Sequence, residues 1–100
     1  MKQRNILYIG TNTEISATVL RVINARENWN AFGVCNAKDA QKLCAENSFD
    51  VVLLGCGIDG EIETALQWYI EANFPKTKVV KHYGGGSGLL YNEILLALES

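Results

Sequence analysis

Residues 49–55 read Phe-Asp-Val-Val-Leu-Leu-Gly, and this stretch decides the fold. Four consecutive branched aliphatic residues cannot all point inward from a sheet that is covered on one side only, so helices must cover both faces of the strand that contains them. The stretch therefore predicts a central strand of a parallel sheet.

Three further short segments have the length and composition of strands. Residues 5–10 read Asn-Ile-Leu-Tyr-Ile-Gly, residues 32–35 read Phe-Gly-Val-Cys, and residues 78–83 read Lys-Val-Val-Lys-His-Tyr. Short apolar runs that are bounded by turn residues are typical of buried strands. We therefore expect four strands, with residues 49–55 forming the third.

Segments with helical spacing follow each of these strands. Thr11 and Glu14 fit a capping box, in which the two side chains and backbone amides bond reciprocally, before a helix that we expect to end near Asn28. Asn36 can cap the second helix, and Pro75 disfavours helical geometry at Phe74 and so ends the third, which starts at Glu61. The predicted apolar faces are Ile15, Val19, Val22 and Ile23 in the first helix, Ala37, Ala40, Leu43 and Cys44 in the second, and Ile62, Ala65, Leu66, Tyr69 and Ile70 in the third.

Strands that alternate with helices through short loops indicate right-handed βαβ units. The predicted fold class is α/β, a flavodoxin-like three-layer sandwich with a four-stranded parallel sheet in the order 2-1-3-4 and four helices. Because 100 residues are too few for two well-filled cores, we expect a single domain over residues 1–100.

The fourth helix, residues 89–98, carries more apolar residues than one narrow stripe requires. Large exposed apolar patches mark contact surfaces, so we expect a homodimer or a protein partner at this helix and the fourth strand, which the predicted order leaves at a sheet edge. Lys78 and Lys81 are interpreted as protection of that edge. The interface candidates are Leu89, Leu90, Ile94, Leu95, Leu96 and Leu98.

The composition of the chain limits which classes of partner and which cellular compartment we expect. The net charge is -2 and the nine basic residues are scattered, which argues against nucleic acid as a partner. The first apolar stretch is only five residues long, too short for a signal peptide or a membrane span, so we expect a cytoplasmic protein without a membrane partner. Three cysteines without a C-x-x-C pair argue against disulfides, and Cys35 and Cys44 are interpreted as small hydrophobic residues.

Over residues 5–95 the pattern resembles the receiver domain of bacterial two-component response regulators. The resemblance rests on the first strand, on residues 49–54 with the loop containing Asp59-Gly60, on the helix of residues 61–73, and on Phe74-Pro75 with Val79-Val80. It implies a role in signal transduction, and it implies that the fourth helix and its surroundings mediate dimerisation and output.

The residues that carry the chemistry of receivers differ in this chain. The resemblance places the phosphoacceptor at Gly55, the two Mg²⁺-binding acidic residues at Gly10-Thr11-Asn12, and the hydroxyl residue at Tyr83; the lysine of a fifth strand has no counterpart. Since phosphoryl transfer needs a nucleophile, a metal and positive charge together, we expect a truncated, degenerate pseudo-receiver. The expected function is a phosphorylation-independent protein-interaction module that is not an enzyme and has no catalytic residue, metal or cofactor.

Cys56 carries the main alternative. It lies between two glycines at the carboxyl edge of the sheet, where a helix N-terminus can lower a thiol pKa, and His82 is a candidate partner for it. Such a pair favours a small thiol or phosphoryl-carrier enzyme. The chain is also similar, more weakly, to the phosphocysteine B subunits of sugar phosphotransferase systems, but these carry their cysteine after strand one, where this chain has Gly10 and Thr11.

A third hypothesis is an anion or nucleotide site. The glycine-rich segment of residues 84–88 precedes a helix, so its backbone amides can cradle a phosphate or carboxylate, although it matches neither a P-loop nor a dinucleotide fingerprint. Ligands of open α/β sheets bind at the carboxyl ends of the strands. The ligand-binding candidates are Gly10, Thr11, Asn12, Gly84, Gly85, Gly86 and Ser87.

Overall fold

The computed structural model describes residues 3–55, 57–81 and 90–99. All strand pairs in the described sheet are parallel and the strand order is β2-β1-β3-β4, so the predicted topology is confirmed. The elements are β1 (Arg4–Ile9), α1 (Thr13–Asn24), β2 (Trp29–Val34), α2 (Ala37–Glu46), β3 (Val51–Leu54), α3 (Gly60–Asn73), β4 (Lys78–Lys81) and α4 (Leu90–Glu99).

Alternating residues of the central strands bury their side chains on opposite faces of the sheet, which confirms the prediction of two covered faces. On one face Leu7 and Val52 pack with residues of α2 and α3, including Ala40 and Leu66. The other face holds Ile6, Tyr8, Val51 and Leu53 with Val19 and Ile23 of α1 and Ile94 and Ala97 of α4. All four residues of β3 are fully buried.

The position of α4 completes the three layers. In the strand order β2-β1-β3-β4, α2 and α3 connect strands in one direction across the sheet, and α1 connects β1 to β2 in the opposite direction. Right-handed crossovers therefore place α2 and α3 on one face and α1 on the other. α4 follows α3 in the chain but packs on the α1 face, where Ile94 is fully buried. The second face is therefore covered jointly by α1 and α4.

Asp50 ties β1 to β3 at the amino end of the sheet. Its Oδ2 accepts a hydrogen bond from the backbone amide of Asn5 at 2.9 Å, and its Oδ1 lies 3.3 Å from the guanidinium of Arg4. The backbone amide of Lys78 donates to the Asp50 carbonyl at 3.0 Å, and the Thr77 hydroxyl donates to the Phe49 carbonyl at 2.7 Å. These bonds connect three strands at their starting points and fix their register.

The two edge strands differ in what flanks them. On β2, the backbone amide of Ala31 donates to the side-chain oxygen of Asn24 at 2.9 Å, so α1 covers a donor that a foreign strand would need. On β4, Lys78 and Lys81 are exposed, and their interpretation as protection of that edge stays a prediction.

Two sequence predictions about the ends of α1 are wrong. The capping box does not form: Asn12 is the N-cap of α1, and its side-chain oxygen accepts from the amide of Ile15 at 3.0 Å. α1 ends at Asn24 instead of near Asn28, because the chain turns there to enter β2, which starts at Trp29. By contrast, the predicted cap at Asn36 is confirmed by its bond to the Asp39 amide at 2.8 Å.

The predicted apolar face of α3 is also partly wrong. Leu66 and Ile70 are buried as expected, but Ile62 is 48% exposed and Ala65 is exposed. The buried residue in the first turn is Glu63. The inward side of α3 is therefore rotated away from Ile62 and Ala65, toward a residue that periodicity alone assigns to solvent.

Candidate functional site

The carboxyl edge of the sheet collects the loops that follow the strands. Gly10 follows β1, Cys35 follows β2, Gly55 follows β3, and Lys81 ends β4. This is the edge at which open α/β sheets bind ligands. The described part of the edge is dominated by close packing around Tyr8.

The phenol of Tyr8 fills the space between β1 and β3 at this edge. Tyr8 is 1% exposed, and its ring extends along the α1 face toward the carboxyl ends of the strands. A Cβ atom on Gly10 would lie 2.8 Å from the Tyr8 Cε2 and 2.9 Å from its hydroxyl oxygen. A Cβ atom on Gly55 would overlap the same hydroxyl and would lie 2.8 Å from the Ile9 carbonyl oxygen. Both positions require glycine because the tyrosine ring occupies the side-chain space.

The loops after β1 and β3 also meet at Thr11 and Gly57. A Cβ atom on Gly57 would overlap the Thr11 hydroxyl, and Gly57 has a φ of 86°, a conformation that favours glycine. Thr11 thus packs against the loop between β3 and α3, while Asn12 caps α1. Each of the predicted ligand residues Gly10, Thr11 and Asn12 has a structural role in closing this edge.

An open groove of about 430 Å³ lies beside the closed region, between α1 and β2. Cys35 and Asp39 line it, and the Asp39 carboxylate accepts from the Asn36 side-chain amide at 3.1 Å. Cys35 is exposed, so its interpretation as a buried hydrophobic residue is wrong. Across residues 3–55, 57–81 and 90–99, no three His, Cys, Asp or Glu side chains are grouped as metal ligands.

The ion pair between Glu63 and Lys81 was not found by sequence reasoning. The Lys81 ammonium lies 3.1 Å from Glu63 Oε1, with 10% of the Glu63 side chain and 44% of the Lys81 side chain exposed. The pair joins the first turn of α3 to the carboxyl end of β4. A glutamate in the first turn of a helix is common on electrostatic grounds, so the sequence carries no signal that this one turns inward.

Cys44 confirms the prediction of a buried cysteine. It is 4% exposed within the α2 and α3 layer, and burial raises the pKa of its thiol above the ordinary value. Cys44 is therefore a protonated core residue at neutral pH. Several other predicted site residues, Cys56, His82, Gly84, Gly85, Gly86, Ser87 and Leu89, lie outside the described residues.

The predicted interface on α4 is only partly available at the surface. Ile94 is fully buried in the core on the α1 face of the sheet, so its assignment to an interface is wrong. Leu95 and Leu98 are half-buried, and Leu98 packs against the core, whereas Leu96 is 68% exposed. Leu90 begins the helix. No helix in the described segments has both the length and the apolar character that crossing a membrane requires.

No protein-family model matches the chain, and no curated protein matches it. Solved structures do match. A receiver domain of a response regulator from Methylobacillus flagellatus superposes with a TM-score of 0.72 at 16% identity, covering 83% of this chain and 71% of that one. The signal receiver domain of an HD domain-containing protein from Pseudomonas fluorescens Pf-5 gives 0.74 at 16% identity, covering 99% and 72%.

A response regulator receiver domain protein from Clostridium thermocellum gives a TM-score of 0.70 at 20% identity, covering 96% of this chain and 75% of that one. These values establish a common fold with receiver domains. At these low sequence identities the similarity concerns the backbone fold and not the side chains of the site. The chemistry of the site therefore depends on the residues of this chain.

Proposed function

We propose that this chain is a receiver-like protein-interaction module of bacterial signal transduction that acts in the cytoplasm without aspartyl phosphorylation and without enzymatic activity. The receiver fold supports the signalling role. The residues at the carboxyl edge of the sheet support the absence of aspartyl phosphorylation.

The packing of Tyr8 against Gly55 is the observation that carries the proposal. A receiver needs an aspartate directly after its third strand, and in this chain Gly55 follows β3. No side chain fits there, because even a Cβ atom would overlap the Tyr8 hydroxyl. This packing supports the proposal that the position holds no phosphoacceptor, because an aromatic ring from the neighbouring strand occupies the side-chain space.

The loop after β1 supports the same proposal through its charge. Gly10, Thr11 and Asn12 are neutral, and the side chains of Thr11 and Asn12 are engaged at Gly57 and at the start of α1. Mg²⁺ is a hard cation that is bound through carboxylates and water. A loop without a carboxylate at this position is poorly suited to hold it.

The surface of α4 and β4 supports an interaction role, with self-association as a homodimer as the proposed mode. Leu96 is 68% exposed next to the half-buried Leu95, and β4 forms an edge of the sheet. An exposed leucine next to an edge strand of the described sheet offers apolar area to another chain.

Incubation with acetyl phosphate and Mg²⁺, followed by intact-mass measurement, tests the loss of phosphorylation. We expect no phosphorylated species under conditions in which a phosphorylatable receiver is labelled. Phosphate that is incorporated at a defined side chain of this protein would refute the proposal.

Sedimentation velocity tests the proposed interface. We expect a concentration-dependent dimer for the wild-type protein and a monomer for Leu96→Glu and Leu95→Glu. Ala45→Glu is the matched control, because it adds the same charge at an exposed position of α2. If Ala45→Glu dissociates the dimer as strongly as Leu96→Glu, or if the wild-type protein is monomeric throughout, α4 is not the interface.

A further inference from the structure

The outward side of α3 carries apolar residues that the fold does not use. Trp68 is 72% exposed, and Ile62 at the border of the same side is 48% exposed. The buried side of the helix consists of Glu63, Leu66 and Ile70. Tryptophan contributes a large apolar area and is enriched among the residues that dominate binding energies, so its exposure here requires an explanation.

The neighbours of Trp68 leave room for a second helix. Ala65 and Ala72 precede and follow it by one helical turn and are exposed. We call Glu61, Ala65, Trp68, Glu71 and Ala72 the α3 outer face. The spacing of residues 65, 68 and 72 is that of a helix-packing seam, with one large residue between two small ones. Trp68, Glu71 and Ala72 border an open groove on this face.

The charge of α3 is of one sign. Gly60–Asn73 contains three glutamates and neither lysine nor arginine. Glu63 is turned inward to Lys81, whereas Glu61 and Glu71 are exposed, and among the described residues neither of the two forms an ion pair. Glu71 accepts a hydrogen bond only from Gln67 of the same helix, at 3.0 Å. Glu61 thus lies in line with the seam, one turn before Ala65, and Glu71 lies along one side of it; no cation of the described chain neutralises either carboxylate.

This charge distribution discriminates between possible occupants. A second copy that packed α3 against α3 would bring like charges together around the seam, which disfavours association. A helix with an apolar stripe bordered by Lys or Arg would instead satisfy Glu61 and Glu71 while it covers Trp68.

We propose that the α3 outer face binds a cationic amphipathic helix of a partner protein. The inference rests on the proposed function in that it names a partner class for the interaction module. It concerns a different surface from the α4 contact, on the opposite face of the sheet.

Two synthetic peptides test the proposal with the full-length protein. One is a tryptophan-free amphipathic helix with a Leu/Ala stripe flanked by Lys, and the other has Glu at every Lys position. Each carries a fluorescent label for anisotropy titrations. We expect saturable binding of the Lys peptide and no binding of the Glu peptide. Trp68→Ala should weaken binding of the Lys peptide about tenfold or more, as is typical for a central tryptophan of an interface.

Charge reversal separates recognition by this face from general attraction to an acidic protein. Glu61→Lys/Glu71→Lys should abolish binding of the Lys peptide and create binding of the Glu peptide. Glu14→Lys/Glu46→Lys makes the same change in net charge at exposed positions of α1 and α2 and should leave binding of the Lys peptide within about twofold, since distant surface charges contribute little at physiological salt.

Four results would overturn the proposal. The first three are failure of the Lys peptide to bind the wild-type protein, equal binding to Trp68→Ala, and equal loss of binding in the two charge-reversal variants. The fourth is a sedimentation change caused by Trp68→Ala alone, which would identify a second copy as the occupant. The three peptide results do not bear on acetyl phosphate labelling or on the Leu96→Glu dimer test, so they would leave the proposed function standing.

Discussion

The hydroxyl of Tyr8 on β1 lies against the α-carbon of Gly55 at the end of β3, where a side chain of Gly55 would otherwise project. The two residues are therefore interdependent: the ring requires the glycine, and the glycine leaves space that the ring fills. Because protein interiors tolerate neither overlap nor voids without cost, changes at the two positions should be strongly coupled.

Gly55→Ala should reduce the free energy of unfolding by about 1–3 kcal/mol, because the new methyl group overpacks against the Tyr8 phenol. In the Tyr8→Leu background the same substitution should cost less, since the shorter side chain removes the overlap with the phenol and leaves only the close contact with the Ile9 carbonyl oxygen. Urea unfolding of the four proteins in this double-mutant cycle measures the coupling.

Gly60→Ala is the control for the Gly55 prediction, because no atom lies within 4 Å of a Cβ at that position. It should leave stability unchanged or raise it slightly, since alanine favours the helical backbone. Additive effects of Gly55→Ala and Tyr8→Leu would show that the two residues do not compete for the same space.

Ile94 and Leu96 provide a direct comparison within α4. Ile94 is fully buried and Leu96 is 68% exposed. Ile94→Ala should cost about 2–5 kcal/mol through the cavity that it leaves in the α1 face, whereas Leu96→Ala should alter the stability of the monomer by less than about 0.5 kcal/mol. Thermal unfolding at low protein concentration, where dimerisation does not contribute, measures both; equal effects would contradict the placement of α4.

Lys81→Met should destabilise the protein by about 1–3 kcal/mol, because it removes the ammonium that lies 3.1 Å from a nearly buried carboxylate. Glu63→Met/Lys81→Met should recover a large part of the loss by removing the buried charge as well. Lys78→Met is the control, since Lys78 is exposed on the same strand and should change stability by no more than about 0.5 kcal/mol. The midpoints of chemical denaturation rank the variants.

Cys44 should make the protein less stable in alkaline solution. Burial raises the pKa of its thiol in the folded state, so the stabilising contribution is complete below the unfolded value of about 8.5 and is lost as the pH rises toward the folded pKa. Cys44→Ala should flatten this part of the profile. Alkylation followed by peptide mapping gives a second measure: the exposed Cys35 should react in the native protein, and Cys44 only after unfolding.

The fold was predictable because it depends on short-range patterns. The run Val51 to Leu54 requires two covered faces wherever it occurs, and handedness rules then restrict the order of the strands. The exposed side of α3 was not predictable in the same way. Burial of Glu63 instead of Ile62 brings its carboxylate to Lys81, which is distant in sequence and reaches the helix only when β4 joins the sheet.

The packing of Tyr8 against Gly55 at the carboxyl edge was predictable only in part. That Gly55 directly follows an aliphatic strand is visible from the sequence, but that Tyr8 fills the side-chain space at this position is not, since the pattern of β1 shows only an apolar residue on a buried strand. The cap of α1 illustrates another limit: Thr11 and Asn12 are both good N-caps, and the contact of Thr11 with Gly57 decides between them.

The return of α4 to the α1 face also constrains folding during synthesis. Ile94 completes a cluster that includes Ile6, Tyr8 and Ile23, which are synthesised well before it. That half of the core stays open until residues 90–99 have cleared the exit tunnel, so the nascent chain exposes the apolar side of β1 and α1 until then. A chaperone that shields nascent apolar segments would bind β1 and α1 and release them only after α4 has docked.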